Sequence, residues 1–560
     1  MHPRIRYVGG VPIRLSVRRM AAQFFSLLDK PREHQQQKLL ELLRLNADSE
    51  FSRQHGLDRV RTVAEFRRQW PVSDYEAFRP SIDRLRQGQT QALLGSRNRL
   101  LMFALTSGTT AETKYIPITQ QFLNDYRRGW KVWGIRAFDD HPHLHLSDIV
   151  QMSSDHDQFR TAGGHPCGNI SGLVSAMQSP LLKTMYAVPD IVSKIKDPEL
   201  KYYTALRLAV ANRRIGLIMT ANPSTLVHLA QLAQKWAPTL IQDIAEGTVS
   251  GPADLPPEIR RGLRWRTGRD RSRAKELEQI LSRSGRLALP EVWRQLTLLA
   301  VWTGGSAAAY LPAVRDWYGS CPIRDHGLSA SEGRMTVPFG DESATGVLDI
   351  SSHYFEFIPE AEYGTAQPTV LEAHELEPGQ TYYILLTTSS GLYRYDIRDV
   401  VRCTGRLKST PQIEFLNKGS HMSSVTGEKL AESQVVTAIC LAQQQCGLRM
   451  PHFTLVPVWG NPPAYYLLVE QGGFAADEQR HQFARECDQQ LQQQNGEYAD
   501  KRASGRLGPL TVAALPDGTW QKFTRQRQSR LGGSIEQYKH PCLIGDLQFF
   551  GRFQQEYLTN

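Results

Sequence analysis

The sequence predicts an α/β protein divided into a large N-terminal domain and a smaller C-terminal domain. At 560 residues the chain is too long for a single hydrophobic core. Helical and strand patterns are mixed along it without a repeat of about 20–50 residues, which excludes a solenoid. The chain becomes small and polar around Asn417-Lys418-Gly419-Ser420. We therefore expect domains 1–417 and 418–560, with a hinge near 417–420.

Individual elements are predicted from their end signals and their periodicity. Asn222 and Pro223 together are typical of a helix start, and that helix is expected to run to about Trp236. Thr119 is expected to cap a helix that follows Pro117. Runs of β-branched and aromatic residues predict strands, and apolar periodicity predicts a C-terminal helix. The predicted strands are His353–Ile358, Thr381–Thr388, Val400–Cys403, Phe453–Val458 and Ala464–Glu470, and the predicted helix is Asp477–Gln494.

Composition indicates an ordinary soluble protein. Hydrophobic residues make up 41% and charged residues 22% of the chain. The seven cysteines show neither a CxxC motif nor a metal-binding spacing, so reduced thiols in a cytoplasmic protein are expected. No apolar run approaches the ~20 residues that span a bilayer. We expect a monomer without a membrane partner.

Two segments carry most of the excess positive charge of +10. Arg260–Lys275 contains eight basic residues, one acid (Asp270) and Trp265, an interleaving that single-strand-binding proteins use. It leads into an amphipathic helical pattern, which favours a solvated connector beside a helix and no nucleic-acid partner. The first 28 residues contain five arginines and no acid. They fit an organellar transit peptide, or, as we prefer, a frayed basic N-terminus before a helix near Met20–Leu28.

The segment Leu105–Pro117 says most about chemistry. Its hydroxyl-bearing residues surround one glycine, and a lysine follows: Thr106, Ser107, Gly108, Thr109, Thr110 and Lys114. Backbone N–H groups of such a loop can turn toward an anion, while the hydroxyls and the ammonium add donors and charge. This pattern predicts a cradle for nucleotide phosphates, although it lacks the second glycine of a Walker A loop. A polar turn between two elements is the alternative.

An aromatic stripe follows the loop at helical spacing, formed by Phe122, Tyr126, Trp130 and Trp133. It could be a wall that holds an apolar acid. Because aromatic stripes mostly build cores, we favour a helix face packed on the core.

Four further segments carry polar residues that core packing does not require. Trp302–Ala307 is a glycine turn that could admit a flat ring. Glu332, between small residues, could ligate Mg²⁺ or could begin a helix. An aspartate of Gly391–Val401 could bind ribose hydroxyls or belong to a surface ion-pair cluster. Lys429 could swing into an interdomain cleft.

In their order and spacing these segments resemble the GH3 acyl-acid amido synthetases of the adenylate-forming superfamily. The resemblance covers the chain from about residue 30. The segments that carry it are Thr106–Pro117, Thr184–Pro189, Ala221–Thr225, Gly304–Ala307, Ser329–Glu332, Gly391–Val401, Lys418–Gly419, Gly427–Leu430 and Ser534–Pro541.

The resemblance implies a large adenylate-forming domain, with β-sheets and a distorted β-barrel flanked by helices, and a small mobile α+β domain. It also implies ATP and Mg²⁺. The implied ATP-binding residues are Thr106, Ser107, Gly108, Thr109, Thr110 and Lys114 at the phosphates, Gly305 and Ser306 at the adenine, Ser331, and Asp399 at the ribose. Glu332 would bind Mg²⁺, Lys429 would reach the α-phosphate, and Lys539 would be a second functional lysine. Lys418 and Gly419 would form the hinge.

The implied reaction is adenylation of a small carboxylic acid, followed by acyl transfer to an amine, by resemblance an amino acid. A thiol acceptor such as coenzyme A is the alternative within enzymes. A nucleic-acid-binding protein on a degenerate enzyme scaffold is the alternative outside them. Glu112 and Arg398 depart from the family pattern, in which small residues or glycine are expected, and Arg398 could crowd the ribose.

Overall fold

A computed structural model describes residues 3–107, 113–419, 422–426, 428–531 and 539–558. Helices dominate the first 90 residues and the middle of the chain. The helices before residue 320 are α1 (Pro3–Gly9), α2 (Val11–Leu27), α3 (Pro31–Leu45), α4 (Glu50–Gln54), α5 (Val63–Gln69), α6 (Tyr75–Arg86), α7 (Gln120–Asp140), α8 (Ile170–Ala176), α9 (Pro180–Lys183), α10 (Pro198–Ala211), α11 (Pro223–Lys235), α12 (Ala237–Glu246), α13 (Pro257–Leu263), α14 (Arg271–Ser284), α15 (Leu289–Val292) and α16 (Leu311–Tyr318). The later helices are α17 (Glu432–Cys446), α18 (Asp477–Gln494), α19 (Gly496–Ala503), α20 (Thr519–Leu531) and α21 (Phe549–Tyr557).

Strands lie between and after these helices and form several sheets. They are β1 (Leu100–Ser107), β2 (Thr113–Thr119), β3 (Asp148–Gln151), β4 (Phe159–Arg160), β5 (Pro166–Gly168), β6 (Ile215–Met219), β7 (Leu298–Ala300), β8 (Ile323–Arg324), β9 (Ser329–Ala330), β10 (Gly333–Arg334), β11 (Thr336–Val337), β12 (Gly346–Leu348), β13 (Tyr354–Pro359), β14 (Leu371–Glu372), β15 (Thr381–Thr387), β16 (Tyr395–Leu407), β17 (Thr410–Lys418), β18 (Met422–Ser423), β19 (Leu430–Ala431), β20 (Phe453–Val458), β21 (Ala464–Glu470) and β22 (Thr511–Leu515).

We keep the predicted division of the chain and call the residues up to 417 the N-terminal domain and those that follow the C-terminal domain. Among the residues described, the N-terminal domain has three sheets of four or more strands. A parallel sheet has the order β3-β6-β7-β8, and helices α10 to α16 supply the apolar residues that pack on it. Its two inner strands, β6 and β7, contain only apolar residues, as strands of a parallel sheet covered on both faces require. A second sheet has the order β2-β1-β5-β4, and an antiparallel sheet of seven strands has the order β11-β12-β17-β16-β15-β13-β14.

The C-terminal domain is built on a sheet of three strands, β20-β21-β22, with α17 and α18 packed together beside it. Residues of the N-terminal domain enter this core. Tyr310, at the end of the 3₁₀ turn Gly305–Tyr310, is 3% exposed and lies in the same apolar cluster as Val435 and Ile439. This short turn therefore connects the two domains by packing.

Many predicted elements are confirmed. Strands β20 and β21 and helix α18 have the predicted bounds. The Asn222 side chain accepts a hydrogen bond from the backbone N–H of Ser224, and Thr119 accepts one from that of Phe122. The expectation of a frayed N-terminus is wrong, because residues 3–27 form α1 and α2. No helix among the residues described has the length and apolarity that crossing a membrane requires.

Candidate active site

A cleft lies where the N-terminal domain meets the C-terminal domain. It contains about 550 Å³ of space not filled by protein atoms, part of which is open solvent. Its wall combines the glycine turn after β7, the end of β17 and one segment of the C-terminal domain. The lining residues are Asn222, Trp302, Gly304, Ser306, Ala307, Tyr310, Asp325, Leu328, Ser329, Ala344, Phe415, Lys539 and His540.

The two ends of the hydroxyl-rich segment lie in neighbouring strands. Strands β1 and β2 pair antiparallel, and Thr106 lies directly opposite Lys114. Gly108, Thr109, Thr110 and Glu112 fall outside the described residues. The Lys114 ammonium lies 5.4 Å from the ring centroid of Tyr75. Burial is the main reason that the pKa of Lys114 is lowered, and Glu332 acts in the opposite direction.

Glu332 occupies the turn of a hairpin, between β9 and β10, and not the first turn of a helix. Its side chain is buried, and this burial raises the pKa of the carboxyl group. The cations of Lys418 and Lys114 oppose that shift, so both lie close enough to act on the carboxylate. Ser331, beside it on the same turn, is partly exposed.

Asp399 and Lys418 form an ion pair across two neighbouring strands. They are direct partners in the register of β16 and β17, and the Lys418 ammonium donates to the Asp399 carboxylate at 2.7 Å. The ammonium also donates to the carbonyl of Ile397 at 3.2 Å. Burial alone would lower the pKa of Lys418, but the carboxylates around it, Asp399 first, raise it. Asp399 is 4% exposed, so it does not belong to a surface cluster.

Arg398 occupies a position at which the family pattern has glycine. Its backbone is left-handed, a conformation that favours glycine. Its φ is +59°, which costs a residue with a Cβ about 1–2 kcal/mol. The backbone N–H donates to the Asp396 carboxylate at 2.7 Å, and the carbonyl accepts from Gly419 at 2.8 Å. The guanidinium lies 3.8 Å from the carboxylate of Asp74.

The glycine turn after β7 is tightly packed against β17. Gly305 has a φ of +59°, and a Cβ at this position would lie 2.7 Å from the carbonyl oxygen of Leu416. A Cβ on Gly304 would lie 3.0 Å from the carbonyl oxygen of Phe415. Glycine is thus required at Gly305 by both conformation and space. Ser306 follows and lines the cleft.

Lys539 reaches into the cleft from the C-terminal domain. Its ammonium lies 4.5 Å from the ring centroid of Trp302 and 5.3 Å from that of Phe415. Desolvation by the cleft walls lowers the pKa of Lys539, while Asp399 opposes the shift. Both aromatic rings belong to the N-terminal domain, so this lysine is a direct contact between domains.

The backbone after Lys539 is fixed by the C-terminal sheet. The carbonyl of Cys542 accepts a hydrogen bond from the N–H of Leu455 in β20 at 2.9 Å. The N–H of Ile544 donates to the carbonyl of Leu455 at 3.0 Å. The N–H of Cys542 donates to the Glu432 carboxylate at 2.7 Å. The segment that follows Lys539 is therefore anchored to the C-terminal sheet.

Lys429 is placed differently. It is exposed, has a φ of +44° and follows Glu428, whose buried carboxylate accepts from the N–H groups of Val425 and Thr426. The structure shows no hydrogen bond or ion pair of the Lys429 ammonium with any residue it describes. Gly427 lies outside the described residues.

The aromatic stripe of α7 contributes mainly to the core. Phe122, Tyr126 and Trp133 are buried, and Trp130 is partly exposed. The ring of Trp130 lies 5.3 Å from that of His326, which in turn lies 5.3 Å from Trp302 in the cleft wall. Burial lowers the pKa of His326 to about 3, so this link is a neutral imidazole.

Sequence reasoning missed Phe415 and Asp325. Phe415 looks like any aromatic residue on a strand, and no local signal distinguishes it. Asp325 accepts hydrogen bonds from the N–H and the hydroxyl of Thr303, at 2.6 and 2.9 Å. These bonds hold the start of the glycine turn in place. Asp325 directly follows strand β8, and a carboxylate at the carboxyl end of a strand was the available signal.

Models of one protein family match most of the chain in three pieces. The GH3 family N-terminal domain matches residues 20–323, the central domain 346–418 and the C-terminal domain 433–548. Named members of this family are ligases that form an amide bond, and the chain is an enzyme of this class. It belongs to the GH3 family.

Individual relatives are similar over nearly their whole length. The chain is 24% identical to indole-3-acetic acid-amido synthetase GH3.3 of Arabidopsis thaliana, covering 94% of this chain and 91% of that protein. It is 24% identical to jasmonoyl-L-amino acid synthetase JAR4 of Nicotiana attenuata, covering 91% of each. The solved structure of AtGH3.15 acyl acid amido synthetase in complex with 2,4-DB matches with a TM-score of 0.84 at 20% identity, over 98% of this chain and 97% of that one. The predicted family and fold class are confirmed.

Proposed function

We propose that this enzyme uses ATP to adenylate a small carboxylic acid and then transfers the acyl group to an amino acid, forming an amide. One observation carries the proposal. Two cations, Lys114 and Lys418, and two buried carboxylates, Glu332 and Asp399, act on one another at the edge of the cleft that Lys539 enters. Packing of an apolar core does not require this group of charged side chains, whereas binding of a charged nucleotide does.

The chemistry explains why positive charge is gathered there. A free carboxylate is a poor acylating agent because its leaving group would be oxide. Attack of a carboxylate oxygen on the α-phosphorus of ATP releases pyrophosphate and makes a mixed anhydride with AMP as leaving group. Two anions must approach each other in this step, so charge neutralisation and in-line positioning are the main catalytic needs. Attack of the amine on the acyl carbon then releases AMP.

The residues at the cleft fit a bound ATP. Strands β1 and β2, with Thr106, Ser107 and Lys114, would hold the phosphates, together with Gly108, Thr109 and Thr110. Gly305 and Ser306 would lie against the adenine, and Asp399 would accept from the ribose hydroxyls while Lys418 fixes its other side. Ser331 would add a hydroxyl.

Glu332 fits a magnesium site. Its carboxylate offers the hard oxygen ligand that Mg²⁺ prefers, and its raised pKa indicates a buried anion that lacks full compensation. Bound there with ATP, Mg²⁺ would supply charge neutralisation at the phosphates.

The two catalytic lysines would act in different arrangements of the domains. In the arrangement described, Lys539 lies in the cleft and Lys429 is exposed to solvent. The hinge would lie at Lys418 and Gly419, whose hydrogen bonds to Asp399 and Arg398 hold its N-terminal side in place. Rotation there would withdraw Lys539 and bring Lys429 toward the α-phosphate for the other half-reaction.

The acid would bind between the nucleotide and helix α7. Among Phe122, Tyr126, Trp130 and Trp133, the position of Trp130 suits contact with the acid best, because it is partly exposed and adjoins the cleft wall through His326. The other three would shape the pocket from behind.

A pyrophosphate exchange assay tests the first half of this function. Purified enzyme, ATP and Mg²⁺ are combined with a panel of carboxylic acids, and exchange of labelled pyrophosphate into ATP is measured. The expected result is exchange that depends on one class of acid. Amino acids or coenzyme A are then supplied and the product is identified by mass spectrometry. An amide supports the proposal; a thioester, or no exchange with any acid, contradicts it.

A further inference from the structure

The N-terminal helices expose an unusual amount of apolar surface. In α1, Ile5 is 64% and Val8 69% exposed, and they lie three residues apart on one face. In α2, Val11 and Leu15 are also exposed and lie four residues apart. Exposed apolar residues are common singly, but a group of this kind marks an interaction site.

This apolar surface is held in a fixed position. Arg6, on the opposite side of α1, is buried and donates to Asp148 at 2.7 Å. It also donates to the carbonyls of Ser147 at 2.6 Å and Thr184 at 3.1 Å. Because α1 is anchored by Arg6, the exposure of Ile5 and Val8 is a property of the folded protein and not of a loose end.

A second exposed element is bound to the same part of the chain as the first. Trp265 is 83% exposed, and the Arg264 guanidinium lies 4.5 Å from its ring centroid. The next residue, Arg266, donates to the carbonyl of Tyr186 at 2.7 Å. Tyr186 is two residues from Thr184, whose carbonyl accepts the hydrogen bond from Arg6. Both elements are therefore bound to one short segment.

Both elements carry a net positive charge. The first 28 residues contain no Asp or Glu, and Arg260–Lys275 contains eight basic residues and one acid. Acids do face some of the basic groups: Asp139 pairs with Arg18, Asp190 with Lys183 and Asp254 with Arg260. Arg261 and Arg264, in contrast, form no ion pair with any residue that the structure describes.

We propose that this basic-apolar face, formed by Ile5, Val8, Val11, Leu15, Trp265 and the arginines beside them, docks on the surface of an anionic lipid bilayer. Apolar side chains enter the boundary between headgroups and acyl chains, while arginines pair with lipid phosphates and carboxylates. An exposed tryptophan beside arginine suits this boundary, whose two sides are apolar and wet.

Charge complementarity favours lipid over the other occupants. Two copies of this face would repel each other, and a nucleic acid would leave the isoleucine, valine and leucine side chains without a partner. The inference is independent of the proposed reaction, and it revises the expectation that no membrane takes part. The contact is peripheral.

Vesicle sedimentation tests the proposal with the full chain. The protein is mixed with vesicles of phosphatidylcholine alone, or of phosphatidylcholine with phosphatidylserine, at low and at physiological salt. We expect retention only on the anionic vesicles, decreasing with salt. The variants are Ile5→Ser/Val8→Ser, Trp265→Ser and Arg261→Glu/Arg264→Glu. Trp459→Ser is the matched control, because Trp459 is 71% exposed in the C-terminal domain.

The expected effects differ between the variants. Reversal of two arginines should lower the vesicle affinity at least about tenfold, and removal of the apolar side chains should lower it several-fold. Trp459→Ser should bind like the wild type, and circular dichroism melts check that all variants are folded. Absence of retention on anionic vesicles, equal retention on neutral ones, or an equal loss in Trp459→Ser would overturn the proposal. Two further results would also overturn the proposal. One is a dimer, seen by sedimentation velocity, that the same variants abolish; the other is binding to RNA that is tighter than binding to vesicles and that the same variants abolish.

Discussion

The ammonium of Lys539 lies 4.5 Å from the ring of Trp302, although the two residues belong to different domains. The lysine is carried by a segment hydrogen-bonded to the C-terminal sheet, and the tryptophan forms part of the glycine turn after β7. This contact therefore reports on the relative position of the domains. It places a cation of lowered pKa above the edge where Glu332, Asp399 and Lys418 interact.

The first prediction concerns Lys539. Lys539→Ala should lower acid-dependent pyrophosphate exchange about 10²–10³-fold, because one preorganised cation is lost from the step in which two anions meet. Since the pKa of Lys539 is lowered, kcat/KM for ATP should decline as pH rises through that pKa, before an ordinary lysine would lose its proton. Lys539→Arg should move this decline to higher pH.

Lys429→Ala serves as the comparison for that experiment. The two lysines are proposed to act in different half-reactions. Lys539→Ala should therefore impair pyrophosphate exchange, and Lys429→Ala should impair amide formation. Equal, small losses in both variants would show that neither lysine has the proposed role.

The second prediction concerns the Asp399–Lys418 pair. Asp399→Asn should raise the KM for ATP about 5–100-fold, because a charge-assisted hydrogen bond to the ribose is lost and the Lys418 ammonium is left without its partner. The same variant should show a much smaller loss with 2′-deoxy-ATP, since the interaction is already absent there. Glu414→Gln, in β17 and paired with Arg402, is the control. A full loss that persists with the deoxynucleotide would remove Asp399 from the ribose site.

The third prediction concerns Gly305. Gly305→Ala should destabilise the protein by about 2–5 kcal/mol, because left-handed strain is combined with a Cβ 2.7 Å from the Leu416 carbonyl oxygen. Gly285→Ala is a matched control: its φ is +67°, yet no atom lies within 4 Å of the added Cβ, so strain alone should cost about 1–2 kcal/mol. Denaturant unfolding measures both. Similar losses in the two variants would mean that β17 does not press on the turn.

The fourth prediction concerns stability at acid pH. The folded-state pKa of His326 is lowered from 6.5 to about 3, chiefly by burial. The unfolded chain therefore binds a proton that the folded chain does not, and the free energy of unfolding should fall as pH drops from about 6.5 toward 3. At pH 5 this single group should account for about 2 kcal/mol. His326→Gln should weaken the pH dependence of unfolding, measured by denaturant unfolding at several pH values.

The elements that the sequence predicted best are those governed by local rules. Asn222 and Thr119 cap helices because their side chains reach backbone N–H groups two or three residues ahead, which needs no tertiary information. The bounds of β20, β21 and α18 follow from periodicity within the segments themselves.

The relationships that could not be predicted depend on distant pairing. Asp399 meets Lys418 only because of the register between β16 and β17, which the long-range packing of the sheet determines. The N-terminal helices are docked because Arg6 reaches Asp148, 142 residues away. The hairpin that holds Glu332 likewise has a distant contact, since the Arg334 guanidinium lies 4.6 Å from the ring centroid of Trp130. Arg398 could be identified as a departure, but its left-handed backbone could not.

The measurement that tests the central claim most directly follows an oxygen atom. The acid that supports pyrophosphate exchange is labelled with heavy oxygen in its carboxyl group and incubated with enzyme, ATP, Mg²⁺ and an amino acid, and the products are analysed by mass spectrometry. If a carboxylate oxygen attacks the α-phosphorus in the cleft, one labelled oxygen must appear in AMP. Formation of ADP with the label in inorganic phosphate, or of unlabelled AMP, would contradict adenylation at this site.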